Sequence, residues 1–269
     1  MLTATNFGIK PYKFGRLPLH TGNLPELDAF LQEWIRKPAR QGQLVGFLNP
    51  HVYNFAHREP VVRKFLHACD LICIDGVGVS LVFRILFRQT PPRVVATALC
   101  DRALDWPPFQ RINALLIGGT PHQVKLAAEY INTRQGAWRI AEAFHGFSDA
   151  DAYKEILRKH SDVDVVLVGA GTPKSERILL DAREICSGAL CWHIGGGTIG
   201  VYAGEKYRAP FWVSALGVEW IHRFIHEPHY RSRVYPGAFE FASHVLKDRF
   251  FAINKVESWL LPTLKEGDS

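Results

Sequence analysis

The chain has no uninterrupted apolar run of the roughly 18 to 20 residues that a membrane-spanning helix requires. Its N-terminus, MLTATNFGIKPYKFG, lacks the charged-then-apolar order of a secretory signal, so a cytoplasmic protein is expected. It has no CxxC pair. The five cysteines (Cys69, Cys73, Cys100, Cys186 and Cys191) are odd in number and mostly sit among apolar neighbours, which reads as reduced buried thiols rather than a metal site or a disulfide framework. GxxxxGK[ST] does not occur, which removes the P-loop, and the glycine turns are not read as a dinucleotide fingerprint. No GxSxG elbow offers a nucleophile, and His222 and His226, at i and i+4 without the acid of HExxH, read as packing or surface residues rather than metal ligands.

What is present is a globular composition. With 269 residues, 47% hydrophobic and 22% charged, the chain can bury a sizeable core as one large domain or one domain with an appendage. A formal charge of +6 suggests a negative partner: nucleic acid, a phosphorylated substrate or an anionic membrane face. No recognition helix or RNP aromatics accompany it, so nucleic acid is not expected.

The first 25 residues, with several Pro and Gly, read as a loosely structured lead-in. Leu27, Phe30, Leu31, Trp34 and Ile35 have helical spacing, ended by Pro38. QLVGFLN reads as a strand, Pro60 to Ala68 as a helix, DLICID as a strand, and an apolar helix follows Gly76, with another helical region around Leu99 to Trp106. The middle is the most regular part: strands NALLIGG, AWRIAEAF, DVDVVLVGAG and ALCWHIGGG alternate with helices PHQVKLAAEYIN, DADAYKEILRKH and PKSERILLDAREI. Apolar strands separated by helices of 10 to 15 residues predict an α/β fold, a doubly wound, mostly parallel Rossmann-like sheet with helices on both faces. Its ligand belongs beyond the carboxyl ends of the strands.

Three of those ends carry glycine: Gly118 and Gly119, Gly169 and Gly171, and Gly195 to Gly197. Each alone is an ordinary tight turn; three on one edge predict a crevice. In VGAGTPKSE, Pro173 suits the first turn of a helix, and the turn offers backbone N–H groups to an anion. Asp75 closes its strand just before Gly76, where it is either a general base or the N-cap of the next helix. The DVD at Asp162 to Asp164 has the look of a metal-diphosphate motif, but it starts its strand and points away from the crevice. Beyond Gly204 the chain turns aromatic and basic: between Lys206 and Phe250, seven Lys or Arg stand against four acids. The expected division is an α/β catalytic domain over 1–204 and a helical appendage over 205–269, which either meets an anionic lipid surface or packs on the core.

The order of these pieces resembles the WecG/TagA/CpsF family, glycosyltransferase family 26, which moves a sugar from a UDP donor to a polyprenyl-diphosphate-linked glycan in bacteria. The stretches that carry the resemblance are FLNPHVYNFAHREPVVRKFLHACDLICIDGVGVS, LLIGGTP, HGF, VDVVLVGAGTPKSE, IGGGTIGVYAGEKYRAP and LGVEWIHRFIHEP, from about Leu44 to Tyr235. The resemblance implies a general base at Asp75, with Asn49 beside it and a pocket arginine at Arg93. It implies donor contacts at Gly118, Gly119, Gly171, Thr172, Pro173, Ser175 and Glu176. Arg223 and Arg233 match arginines that close over the donor diphosphate, and Arg208 and Arg231 join that basic cluster, whose bland reading is a solvated face. No cofactor and no metal are implied. The place of action is the inner face of the plasma membrane, as a peripheral protein, and a homo-oligomer stays open.

The sequence also departs from the family pattern. Phe47 replaces the threonine of TxN, Ser175 the glutamine of GTPKQE, Gly200 the aspartate of GGtFD, and ATA at Ala96 to Ala98 stands where GtD is expected. Tyr230, with Arg231 adjacent, falls at an appendage arginine. A changed donor sugar is the reading adopted; a non-catalytic nucleotide-sugar-binding partner of a polysaccharide complex is the alternative.

Overall fold

The computed structural model describes residues 4–36, 42–92, 94–107, 111–206 and 237–249. Among them a 3-10 turn (Ala4–Phe7) is followed by β1 (Lys10–Phe14), β2 (Leu17–Thr21), α1 (Leu24–Arg36), β3 (Gln43–Leu48), α2 (Pro50–Arg58), α3 (Pro60–Ala68), β4 (Leu71–Ile74) and α4 (Val77–Phe87). Then come α5 (Ala96–Leu104), β5 (Ile112–Gly118), α6 (Pro121–Thr133), β6 (Trp138–Phe144), α7 (Ala150–Lys159), β7 (Val165–Gly169), α8 (Lys174–Ile185), β8 (Leu190–His193) and α9 (Gly196–Tyr202). Residues 237–249 form a further helix, α10.

The strands make one sheet in the order β1-β2-β4-β3-β8-β7-β5-β6, parallel throughout except for the β1–β2 hairpin. The Rossmann-like expectation holds. The loose lead-in does not: residues 10–21 pair as an antiparallel hairpin that extends the sheet through His20 beside Cys73. Period-2 burial along β2, with Leu17, Leu19 and Thr21 buried, fixes which face of that hairpin meets the core.

Two apolar layers flank the sheet. One joins α1, α5, α6 and α9 through Phe30, Leu31, Leu99, Val124, Ile131 and Ile199. The other joins α2, α3, α4, α7 and α8 through Tyr53, Phe65, Phe83, Leu157 and Leu179, and takes in Phe241 of α10. Central strands buried on both faces explain why β5 and β7 read as continuous apolar runs instead of alternating ones. All five cysteines are buried, unbridged thiols. Burial, with the Asp75 carboxylate adding to it, lifts Cys73 above the usual thiol range, so Cys73 stays protonated.

Local signals set the helix starts. Asn49 accepts from the Val52 N–H at 2.9 Å with Pro50 at the first helical position, so α2 begins where β3 ends. Thr120 and Gln123 form a reciprocal capping box at the start of α6, and Asp149 caps α7.

α10 is tied to the α/β body by polar contacts. Asp248, 5% exposed, accepts from Tyr53 Oη at 2.6 Å and lies 3.4 Å from Arg16 and 3.2 Å from His57. Asn54 donates to the Gly237 carbonyl at 2.8 Å, and the rings of His57 and His244 stack 4.0 Å apart. Among the described residues no helix is long and apolar enough to cross a membrane.

Candidate active site

Parallel pairing places the carboxyl ends of the central strands on one rim. Leu48 of β3 lies opposite Ile74 of β4, Val168 of β7 opposite His193 of β8, and Gly118 of β5 opposite Gly169 of β7. The residues that follow these ends therefore line one edge: Asn49, Asp75, Gly119, the 170–173 turn and Gly195 to Gly197. The DVD lies at the opposite end, where Asp164 accepts from the Asn113 N–H at 2.8 Å at the start of β5.

Asp75 is half-buried, and its backbone N–H donates to the Leu48 carbonyl at 2.9 Å, which seats it beside Asn49. The residue that caps α4 is Gly76, without any side-chain cap bond, so the N-cap role for Asp75 is not what the fold uses. Asn49 spends its carbonyl oxygen on capping α2, a structural duty that also fixes its side chain at the rim. Arg93 lies outside the described residues; its neighbour Val94 donates to the Ile74 carbonyl at 3.4 Å, next to Asp75.

The turn after β7 is held from beneath. Gly171 has φ +82°, and a side chain there would point into open space. Thr172 Oγ1 donates to Glu176 Oε1 at 2.8 Å, and the Thr172–Pro173 bond is cis. Pro173 stands at the N-cap of α8, one residue ahead of the helical turn that sequence suggested. Ser175 and Glu176 are 0% and 1% exposed. Ser175 Oγ takes the Ala170 N–H at 2.9 Å, so that amide is not available to a ligand and the turn is only in part an anion nest. Both side chains bond the turn from inside the protein. Under them, Glu176 Oε2 and His193 Nε2 are buried without a hydrogen-bond partner. Burial pulls the His193 pKa down, the Glu176 carboxylate opposing it, which keeps the imidazole neutral.

Sequence reading passed over Lys174. Its ammonium donates to the Gly146 carbonyl at 2.9 Å and lies 5.8 Å from the Phe147 ring centre, so the turn and the HGF segment brace each other. The adjacency of both stretches to strand ends was the available signal.

Gly118 and Gly119 have a packing explanation. A Cβ on Gly118, at φ +145°, would lie 2.6 Å from Ile199 Cδ1 and 2.5 Å from the Gly169 carbonyl carbon, while one on Gly119 would sit 2.9 Å from Ile199 Cγ2. Gly195 and Gly197 differ: nothing lies within 4 Å of a Cβ on either, so backbone faces open space where β8 gives way to α9. Beneath them the Thr97 and Thr198 hydroxyls are 2.9 Å apart, and Thr198 donates to the Ile194 carbonyl at 2.6 Å, joining α5 to the end of β8. Thr97 is the central residue of the divergent ATA. At Gly200 the space of a side chain is filled by Lys206, whose Cδ would be 2.7 Å from an added Cβ. The substitution there thus coincides with a lysine laid across α9. Arg208, Arg223, Arg231 and Arg233, like His222 and His226, lie outside the described residues.

A doubly wound sheet with a carboxylate, an amide and open glycine backbone on its carboxyl rim defines an α/β protein that takes its ligand at that rim. Over residues 12–255 the chain matches the family model described as Glycosyl transferase WecG/TagA/CpsF family, and it belongs to that family. It is a glycosyltransferase of cell-surface polysaccharide biosynthesis, a class that works with a nucleotide-sugar donor and a lipid-linked acceptor.

Proposed function

We propose that the protein is an inverting, metal-independent hexosyltransferase that moves a sugar from a UDP-sugar to a polyprenyl-diphosphate-linked glycan. The observation that carries this reading is the seat of Asp75: half-buried, beside Asn49, on the same rim as the open backbone of Gly171, Gly195 and Gly197. The acceptor O–H gives its proton to the Asp75 carboxylate as its oxygen bonds the anomeric carbon from the face opposite the leaving group. The anomeric carbon–oxygen bond to UDP breaks, and the electron pair leaves on the β-phosphate. Backbone at Gly171 and Gly195 to Gly197 approaches the diphosphate, with Thr172 and Pro173 held against it by Ser175 and Glu176. In this reading Arg93 joins the pocket. Arg208, Arg223, Arg231 and Arg233, in an appendage formed by residues 205–269, close over the leaving group and supply the charge that offsets it. The reaction belongs to lipid-linked repeat-unit assembly on the cytoplasmic face of the plasma membrane.

A panel of UDP-sugars, each offered with a polyprenyl-diphosphate disaccharide, tests this. One donor is expected to give a product of inverted anomeric configuration in the presence of a chelator. A specific feature favours a second reading: Ser175, in place of a longer amide, is turned into the interior. UDP binding without turnover of any donor would leave the protein as a nucleotide-sugar-binding partner.

A further inference from the structure

Helix α4 has more apolar surface than the core uses. Val79 and Phe83 are buried, and Val82, Leu86 and Phe87 pack against the same layer. On the outer side, positions 77, 81, 84, 85 and 88 form one stripe at helical spacing. Val77, Leu81 and Ile85 are 38%, 56% and 63% exposed, with Arg84 and Arg88 exposed among them. The segment VGVSLVFRILFR carries no acid. A helix on the surface of a globular protein normally turns polar residues outward, so an apolar outer stripe with an arginine rim marks an interaction surface.

The stripe is placed by the candidate site. Val77 lies two residues after Asp75, and the axis advances roughly 12 Å from Val77 to Ile85. Against the first turn of α4 packs α10, whose Phe241 Cε1 would be 3.9 Å from a Cβ on Gly78. α10 in turn exposes Phe239 and Leu246, at 78% and 56%, with Lys247 and Arg249 also exposed.

We propose that the outer face of α4 rests on an anionic lipid bilayer. Leu81 and Ile85 enter the acyl boundary, and Arg84 and Arg88 meet the headgroup phosphates. The charge decides for lipid over a second copy. An isologous contact across this stripe would bring the arginines of two chains together, whereas an anionic headgroup layer complements them. The inference rests on the proposed function, in which the acceptor hydroxyl is carried by a lipid: the stripe fixes the height of Asp75 at the headgroup level, where that hydroxyl is.

Because all five native thiols are buried, an Ile85→Cys variant takes a solvatochromic dye at one place. The dye is expected to shift to the blue on adding phosphatidylglycerol vesicles and not pure phosphatidylcholine, while a dye on the exposed α6 position of a Lys125→Cys variant stays unshifted. In vesicle co-sedimentation, the Leu81→Glu/Ile85→Glu double variant is expected to lose binding at least tenfold. Arg84→Gln/Arg88→Gln is expected to lose roughly 20- to 30-fold, two charges each worth about a factor of five. Transfer to a water-soluble short-chain acceptor should stay at the wild-type rate in the Leu81→Glu/Ile85→Glu variant. Vesicle binding unchanged in both double variants overturns the proposal, as does a dimer in sedimentation velocity that dissociates in Leu81→Glu/Ile85→Glu while vesicle binding persists. A wild-type protein that transfers no sugar to any acceptor refutes the functional reading instead, and the vesicle arms still decide the docking.

Discussion

Two glycines on the rim should respond to alanine in opposite ways. At Gly118 an added methyl meets Ile199 Cδ1 and the Gly169 carbonyl carbon at 2.6 and 2.5 Å, on a residue held at φ +145°. Backbone strain of that kind costs about 1 to 3 kcal/mol, and overpacking a further 1 to 3 kcal/mol. At roughly 2 to 4 °C per kcal/mol for a domain near this size, Gly118→Ala should melt at least about 5 °C lower. At Gly197 a methyl meets nothing within 4 Å, φ is not in the positive region, and the residue lies inside α9. Replacing a helical glycine by alanine there gains about 0.5 to 1 kcal/mol, so Gly197→Ala should melt at or slightly above the wild type. The same methyl occupies the open space assigned to the donor diphosphate, and UDP affinity should fall at least tenfold, about 1.4 kcal/mol. Differential scanning fluorimetry and UDP calorimetry on both variants measure this. A Gly197→Ala protein that is stable and binds UDP as well as the wild type would refute the assignment of that space.

His20 Nδ1 accepts from the Ile72 N–H at 3.0 Å, and burial lowers its pKa from the ordinary 6.5 to about 4. The unfolded chain binds this proton more readily, so the stabilisation is complete above pH 6.5 and falls away between pH 6.5 and 4, by up to roughly 3 kcal/mol. His20→Asn, which retains an acceptor at the same position, should flatten that part of the urea-unfolding pH profile; an unaltered slope would contradict the role of His20. Tyr53→Phe removes the 2.6 Å donor to buried Asp248, leaving Arg16 and His57 as its partners, and should cost about 1.5 to 3 kcal/mol. Since the bond joins α2 to α10, limited proteolysis between 237 and 249 should quicken, and an unchanged cleavage rate would count against that tie.

The sheet was legible because its central strands are buried on both faces and end in glycine, as in Val165–Gly169 and Ile112–Gly118. The hairpin over residues 10–21 was not, since Pro11, Gly15 and Pro18 look like loop residues when the edge-strand register is unknown. α2, over Pro50–Arg58, was not read from the sequence either, although Asn49 followed by Pro50 is a cap signal that the apolar pattern alone does not carry. α9 contains three glycines, Gly196, Gly197 and Gly200, so propensity does not mark it as a helix; its Ile199 packs against Gly118 and Gly169. Motif order brought Asp75, Asn49 and the 171–173 turn to one rim, but not the direction of each side chain. That Ser175 and Glu176 turn inward, and that Thr97 pairs with Thr198, depends on contacts between elements far apart in sequence.

The most direct measurement is sugar transfer by Asp75→Asn beside its UDP affinity. Loss of a positioned general base removes about 10²- to 10⁴-fold in rate, so the account predicts transfer reduced at least a hundredfold, with UDP bound as in the wild type and an unchanged melting profile. A folded Asp75→Asn protein that transfers sugar at the wild-type rate would contradict it.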